Sequence, residues 1–359
     1  MNFFKNLLKP KPIKKVGTKT VVKSPVNNSK TETKSDEVIL QRRDNIEEKK
    51  GVFRQPKLFI AIGQKGVGKT YITKKIIESY IKGDPSTGIL PRKVLVIDPN
   101  NEFDYKTISI EHAFDDTKPN RILEFSDPKT PVEVRRVSMF RPNVKKMNIS
   151  ELQIVFSYCL RNFMGGMMLA EDINLYVADT MKNDLAGTLA TQRHMNCDIY
   201  LHYQMKSKAG NPKLVGFTNI VRLHKTKDNF EKNKKKFEGQ LEIYKIAEKL
   251  VDLQNKKRLQ NATREQLMRE DVPIEVFYCY IDHDRHKITC DDFCKFTDDD
   301  MKAAIEEYIL SNYNEALGEM RNRKNRDGKL TYKPEEVFDL KFNELYQTYY
   351  KPTQSNGRN

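Results

Sequence analysis

The sequence predicts an α/β fold built on a mostly parallel β-sheet with helices on both faces. Two observations lead to this prediction. Short apolar runs that suit buried strands recur along residues 53–226, and segments with helical periodicity separate them. Because parallel strands need a crossover between them, strands that alternate with helices indicate a parallel sheet. We therefore divide the chain into a basic disordered arm at 1–52, the α/β domain at 53–226, a basic α+β extension of helices and a hairpin at 227–317, and a basic tail at 318–359.

The first half of the α/β domain supplies three predicted strands and one helix. The unbroken apolar run Leu-Phe-Ile-Ala-Ile predicts a buried strand at 58–62. A helix follows at 69–82, with four isoleucines and Tyr80 on one broad face. The segment KVLVID at 93–98 predicts the second strand, and residues 136–140 predict a third.

The second half of the domain continues the same alternation. Paired glycines at 165 and 166 mark the end of one helix and the approach to the next strand. The predicted elements are, in order, a helix at 149–163, a strand at 167–170, a helix at 180–194, and strands at 197–202 and 219–224.

The extension has a different character. Its first part, 230–259, is rich in lysine and predicts one long helix with an apolar stripe. Residues 275–290 predict a hairpin, because two apolar stretches flank a polar turn. A further helix is expected to begin at Thr297, and a weak amphipathic stretch lies at 337–345.

Residues 63–70 form the clearest motif in the chain. Glycines let the backbone turn tightly, so that successive N–H groups point at phosphate oxygens, and the following helix adds its positive N-terminal end. Lys69 suits the β- and γ-phosphates of ATP, and the Thr70 hydroxyl suits Mg²⁺. We therefore predict an ATP and Mg²⁺ site on an ASCE/RecA-like P-loop NTPase sheet. The residues that fit the Walker A pattern G-x-x-x-x-G-K-[ST] are Gly63, Gln64, Lys65, Gly66, Val67, Gly68, Lys69 and Thr70.

An acidic pair follows the predicted strand at 167–170. ATP hydrolysis needs one carboxylate that holds Mg²⁺ and a second that orients the attacking water. We assign Glu171 to Mg²⁺ and Asp172 to the water. Asp followed by Glu is the usual order, so the reversed pair is compatible with slow turnover, because an aspartate reaches less far. Asp179 is an alternative, although the run before it is less purely apolar.

Composition narrows the partners and the compartment. The formal net charge of +15 and a pI of about 9.3 favour a polyanion such as DNA, although a solvated basic surface gives the same numbers. The cluster KNKKK at 232–236 is either a phosphate contact or a solvated face. The sequence has no apolar run long enough to span a membrane and no secretory core region, and its five scattered cysteines suit a reducing cytoplasm.

With these motifs in place, the chain resembles the FtsK–HerA superfamily of P-loop ATPases, which includes viral and cellular DNA pumps and Zot-like phage assembly ATPases. The match covers about residues 55–226. The Walker A loop is its specific part, and the other stretches match in order and spacing. These stretches are GQKGVGKT, VLVIDPNNEFD, MMLAEDINLYV and TQRHMNCDIYLHYQ.

The resemblance implies an ATP-hydrolysing motor that acts as a homo-oligomeric ring on DNA without sequence specificity. The activity would be translocation or packaging, and the gene would belong to a phage or mobile element, so that the protein works in a host cytoplasm or a virion. By the same resemblance, Gln204 would be a sensor of the γ-phosphate or its attacking water. Arg193 would be an arginine finger for a neighbouring subunit, although a cation at a helix end is an equal explanation. Zot-like relatives usually carry a membrane span after the ATPase domain, and this chain has none in its sequence.

Other functions stay open at this point. A nucleotide or small-molecule kinase uses the same loop, although no compact arginine cluster for a lid is evident. A slow ATP-gated binding or virion protein is also compatible with the reversed acidic pair. A GTPase is disfavoured, because no Asn-Lys-x-Asp motif occurs. Zinc is a weak alternative, because the spacing of its candidate ligands fits no common pattern; they are His283, His286, Cys290 and Cys294.

Overall fold

One eight-stranded mixed sheet organises the chain. The computed structural model describes residues 55–84, 86, 89–138, 146–175, 195–209, 212–237, 239–263 and 276–350. The strand order in the sheet is β3-β2-β4-β5-β1-β6-β7-β8. The strands are β1 (Leu58–Ile62), β2 (Val94–Asp98), β3 (Val134–Ser138), β4 (Met167–Ala170), β5 (Asp198–Tyr203), β6 (Ile220–His224), β7 (Tyr278–Asp282) and β8 (Lys287–Thr289).

The first six strands are parallel, as the alternating pattern predicts. β1 pairs with β5 on one side and β6 on the other, and β4 pairs with β2 and β5. Every residue of β1, β2, β4, β5 and β6 is buried, which explains why β1, β2 and β4 are nearly continuous apolar runs. β5 and β6 also carry buried polar residues. β3 lies at the edge and is only half-buried. One additional strand, β5, lies between β1 and β4, in agreement with the expected additional-strand (ASCE) arrangement.

The helices connect these strands across both faces of the sheet. α1 leads from β1 to β2 toward one edge, whereas α3 leads from β3 back to β4. Because crossovers of this kind are right-handed, the reversal of direction places the two helices on opposite faces. The α-helices are α1 (Lys69–Lys82), α2 (Arg121–Ser126), α3 (Ile149–Asn162), α4 (Lys206–Ala209), α5 (Pro212–Phe217), α6 (Leu241–Gln260), α7 (Asp298–Ser311), α8 (Tyr313–Asn322) and α9 (Pro334–Tyr349).

Most predicted element bounds agree with the structure. α1 has the predicted bounds, and α3 begins at a capping box formed by Asn148 and Glu151. The third strand lies at Val134–Ser138 rather than at 136–140. The helix predicted at 180–194 lies outside the described residues. Within the part of the chain that is described, no helix combines the length and the apolar character that a membrane crossing requires.

The single long helix predicted at 230–259 is wrong. The chain forms a short 3₁₀ helix at Glu231–Lys236, and α6 begins only at Leu241. Two features explain the interruption. The rings of Phe230, Phe237 and Tyr244 are fully buried and pack pairwise at 4.8 Å between centroids, which folds the chain back on itself. Gly239 follows with a φ of +83°, a conformation that ends a helix.

The extension completes the main sheet. Antiparallel β7 pairs with β6, and β8 pairs with β7, so the predicted hairpin continues the sheet beyond residue 226. α6 packs against β7 and α7, and α9 packs against α7 and α8. The buried apolar residues of these elements belong to the same core as those of the first six strands. The division of the chain into four parts stays a prediction.

Gly166 provides a test of the packing between β4 and its neighbours. A Cβ atom at this position would overlap the Lys93 carbonyl oxygen and come within 2.7 Å of Phe163 Cζ. The Lys93 carbonyl accepts from Met167 N at 2.9 Å, so moving it aside would disturb the pairing of the strands. We expect Gly166→Ala to lower the free energy of unfolding by roughly 1–3 kcal/mol, measured by urea denaturation.

Gly216→Ala is the matched control, because a Cβ atom there meets nothing within 4 Å and the residue lies in α5. The control should leave the free energy of unfolding unchanged or raise it by less than about 1 kcal/mol. Equal losses in the two variants would contradict the packing described here.

Candidate nucleotide site

The phosphate loop is held from both sides by the sheet. It lies between β1 and α1, and Gly63 N donates to the Tyr203 carbonyl at the end of β5 at 3.0 Å. Gln64 N donates to the Lys225 carbonyl, just after β6, also at 3.0 Å. Gly66 and Gly68 have φ of +83° and +73°, which a side chain would strain. Gly68 is the N-cap of α1, and no side chain caps the first turn of this helix, so its amides are available to an anion.

Lys69 is buried within the loop that it follows. Its Nζ donates to the carbonyl oxygens of Gly63 and Gln64 at 2.6 and 2.9 Å. Burial lowers the pKa of Lys69, and the nearby carboxylates of Glu171 and Asp172 oppose this change. The ammonium group is therefore held against the phosphate loop by two of the loop's own carbonyl oxygens.

Glu171, which directly follows β4, contacts both the phosphate loop and β5. Its Oε1 lies 3.1 Å from Thr70 Oγ1, and its Oε2 lies 2.9 Å from His202 Nδ1. Burial alone would raise the pKa of Glu171, but His202, Thr70 and Lys69 together lower it, so the carboxylate is ionised at neutral pH. Burial lowers the pKa of His202 despite the opposing effect of Glu171, which leaves the imidazole neutral.

Asp172 faces a different set of groups. Its Oδ1 accepts from Gln204 Nε2 at 2.8 Å, and its Oδ2 accepts from Asn100 Nδ2 at 2.7 Å. The backbone of Asp172 has a φ of +42°, an uncommon conformation for a residue with a Cβ atom. This turn directs the two adjacent acids to different partners, so that only Glu171 contacts Thr70.

The residues around Thr70 and Glu171 fit a nucleotide with bound Mg²⁺. Thr70 and Glu171 present two oxygen ligands of the hard type that Mg²⁺ prefers, next to the loop that would hold phosphates. Glu102 Oε2 lies 3.4 Å from the same hydroxyl, and burial together with Glu171, Asp172 and Asp98 raises the pKa of Glu102. A divalent cation would relieve this concentration of negative charge. The loop between β1 and α1, together with the acidic pair after β4, which β5 separates from β1, defines a P-loop NTPase fold.

The structure brings together five of the predicted catalytic and metal-binding residues. These are Lys69, Thr70, Glu171, Asp172 and Gln204. Their roles in catalysis stay predictions. Arg193 and the alternative acid Asp179 lie outside the described residues. Asp98 is buried and accepts from the backbone amides of Glu102 and Phe103, so it shapes the turn after β2.

Four residues of the site were not found by sequence reasoning. Asn100 follows β2, and its place after a strand end is the only signal that points to it. His202 and Arg222 interrupt otherwise apolar strands, and a polar residue within a buried strand is a usable signal. Thr73 lies one turn into α1 beneath the loop and resembles any small residue of a helix.

Comparisons with known proteins return distant structural neighbours only. No protein-family model matches the chain, and no curated protein matches it. The genome packaging NTPase B204 of Sulfolobus turreted icosahedral virus 2, in complex with AMP, is similar at 10% identity and a TM-score of 0.38, over 67% of this chain and 100% of that chain. The N-terminal domain of zonular occludens toxin from Neisseria meningitidis is similar at 13% identity and a TM-score of 0.28, over 48% and 78% of the two chains. The Legionella pneumophila ATPase DotB is similar at 12% identity and a TM-score of 0.26, over 51% and 43%. These values are too low to transfer an activity to this chain.

The histidines and cysteines of the hairpin do not assemble into a metal site. Within the described ranges, no three His, Cys, Asp or Glu side chains are grouped so that they could hold a metal ion. His283 instead contacts the Tyr244 hydroxyl and the Thr218 carbonyl, both at 2.9 Å. Cys294 is buried and accepts from Tyr278 N at 3.3 Å. His283 therefore attaches the hairpin to α6.

This contact predicts a pH dependence of stability. Burial lowers the pKa of His283 to about 4, against an ordinary value of 6.5. As the pH falls below 6.5, the unfolded chain binds the proton first, so stability is lost between about pH 6.5 and pH 4. His283→Gln keeps a polar group but cannot be protonated. We expect the difference in unfolding free energy between wild type and variant to shrink by roughly 1–2 kcal/mol from pH 7 to pH 5, measured by urea denaturation at both values. A difference that stays constant would contradict the half-buried, neutral state of His283.

Proposed function

We propose that this chain is an ATP-hydrolysing motor of the FtsK–HerA type that acts on DNA. The observation that supports it best is that the two adjacent acids contact different partners. Glu171 contacts Thr70 of the phosphate loop, and Asp172 contacts Gln204 at the end of β5. A site that only bound nucleotide would need the first contact and not the second.

In the proposed mechanism, the loop amides and Lys69 bind the terminal phosphates of ATP. Thr70 and Glu171 would hold Mg²⁺, which neutralises charge on the phosphoryl oxygens when it is bound. Asp172 accepts a proton from the attacking water, and the Gln204 amide orients that water toward the γ-phosphate. Arg193, outside the described residues, is the proposed contribution of a neighbouring subunit in a homo-oligomeric ring.

The proposed link to DNA is the basic segment 225–236. It begins at the Lys225 carbonyl, which accepts from Gln64 N of the phosphate loop. A change in the loop on hydrolysis would therefore reach this segment directly through the backbone. Its exposed lysines could contact DNA phosphates without sequence preference; they are Lys225, Lys227, Lys232, Lys234 and Lys235. Packaging or translocation by a protein of a phage or mobile element is the task that we propose.

Lys69→Ala tests nucleotide binding. The variant loses the buried ammonium group at the loop, and charge-assisted hydrogen bonds contribute about 1.5–3 kcal/mol each. We expect the dissociation constant for Mg-ATP to rise at least about tenfold, measured by titration calorimetry. Lys82→Ala is the control, because Lys82 is an exposed lysine at the far end of the same helix. Equal affinity of Lys69→Ala and wild type would overturn the proposed site.

DNA-stimulated turnover tests the motor. We expect duplex DNA to raise the rate of ATP hydrolysis, and the triple variant Lys232→Ala, Lys234→Ala, Lys235→Ala to reduce this stimulation. Three lost phosphate contacts should also lower the slope of log affinity against log salt by about 2–3. The control removes three exposed lysines at the β2–β3 end of the sheet, Lys106, Lys118 and Lys129, with the same change in charge.

The oligomeric state is measured on the same preparation. Its mass is measured with and without ATP, and a ring would appear as a defined multiple of the 42.0 kDa chain. A monomer whose turnover ignores DNA would remove the motor and leave nucleotide binding intact. Equal behaviour of the two triple variants would remove only the proposed role of segment 225–236.

A further inference from the structure

Four buried side chains from four different elements form a line beneath the phosphate loop. Arg222 belongs to β6, Thr73 to α1 and His202 to β5, and Glu171 follows β4. Their exposed fractions are 4%, 0%, 0% and 4%, so the line is shielded from water. Consecutive polar atoms along it are 2.7, 2.9 and 2.9 Å apart. The four groups therefore form one buried polar network.

The guanidinium group at one end sets the direction of the hydrogen bonds. An arginine can only donate, so Arg222 Nη2 donates to the Thr73 hydroxyl oxygen. The Thr73 hydroxyl lies 2.9 Å from His202 Nε2 and keeps its own proton available for donation to that nitrogen. Arg222 Nη2 also lies 3.4 Å from Nε2, which places a second donor beside that nitrogen. A neutral imidazole that accepts at Nε2 carries its proton on Nδ1.

Nδ1 of His202 lies beside the carboxylate of Glu171. His202 Nδ1 lies 2.9 Å from Oε2, and Thr70 Oγ1 lies 3.1 Å from Oε1. These two contacts, one on each oxygen, place the carboxylate between β5 and the start of α1. Without the Nδ1 donor, the carboxylate could rotate away from the orientation in which Oε1 meets Thr70.

We propose that His202 is a positioning residue, held in its Nδ1-protonated form by Thr73 and Arg222, that orients the Glu171 carboxylate toward Thr70. This inference rests on the proposed function, because it takes Glu171 as the carboxylate that holds the Mg²⁺ of bound ATP. Loss of the Nδ1 donor raises the Mg²⁺ requirement of turnover. It leaves the affinity for ATP without Mg²⁺ unchanged, because the loop and Lys69 are not altered.

Nuclear magnetic resonance of ¹⁵N-histidine-labelled protein tests the arrangement without relying on activity. The chain has six histidines, and the spectrum of His202→Gln identifies the signals of His202. We expect the chemical shifts of a neutral ring with a protonated Nδ1 and an unprotonated Nε2. A proton on Nε2, or a charged ring at pH 7.5, would overturn the proposed Nδ1-protonated form of His202.

Two amide substitutions test the positioning role. In His202→Asn the side-chain nitrogen can occupy the place of Nδ1 and still donate to Glu171. In His202→Gln the nitrogen reaches the place of Nε2, near Thr73, and the donor to Glu171 is lost. We expect His202→Gln to raise the Mg²⁺ concentration for half-maximal turnover about tenfold, and His202→Asn to stay within about threefold of wild type.

A role in packing alone predicts the reverse order, because glutamine fills more of the space of histidine than asparagine does. Asparagine impaired as much as glutamine, or more, would therefore overturn the proposal, as would wild-type behaviour of His202→Gln. Thermal unfolding of each variant shows whether it is folded. The ATP affinity in the presence of EDTA should be equal in all three proteins. A wild type without saturable Mg-ATP binding would remove the proposed function. The nuclear magnetic resonance spectrum would still show which ring nitrogen of His202 carries the proton.

Discussion

The parallel pairing of β1 with β5 and of β5 with β4 is the constraint on which the site depends. Parallel strands end at the same edge of a sheet, so the acidic pair and Gln204 meet the phosphate loop although each follows it by more than 100 residues along the chain. The in-register pairs of β1 with β5 also bring Ala61 beside His202 and place Tyr203 where its carbonyl holds Gly63. A shift of β5 by one residue would turn His202 to the other face of the sheet and break the contact with Glu171.

The site is also a concentration of buried charge that the fold must stabilise. Arg222 and Lys69 lie within the core, and burial of such groups is costly unless they are hydrogen-bonded. Arg222 donates to the Thr73 hydroxyl and to the Lys69 carbonyl, and its guanidinium lies 6.0 Å from the ring centroid of Tyr278 on β7. The last contact involves the extension directly, so the environment of the phosphate loop is completed by a strand that follows it by more than 200 residues.

Local pattern predicted much of this architecture. The unbroken apolar runs identified β1, β2 and β4, and the periodicity of residues 69–82 gave the bounds of α1. Glu171 and Asp172 were found because they follow a strand, and parallel strands bring such positions together. Gln204 was found through the resemblance to FtsK–HerA ATPases, and its place at a strand end suits the same edge of the sheet. The break between the 3₁₀ helix and α6 was missed, because it depends on three aromatic rings that meet only in the folded core. The roles of His202 and Arg222 were missed for a similar reason, since a sequence does not show which strands are neighbours.

The hairpin that extends the sheet has a mechanical consequence. Five residue pairs join β6 to β7 in antiparallel register, and four join β6 to β1. A pull on the C-terminal helices along the strands would load these hydrogen-bond ladders in shear, so that the bonds share the strain instead of opening one after another. The C-terminal helices and β1, the strand that leads into the phosphate loop, would then move together as one rigid unit.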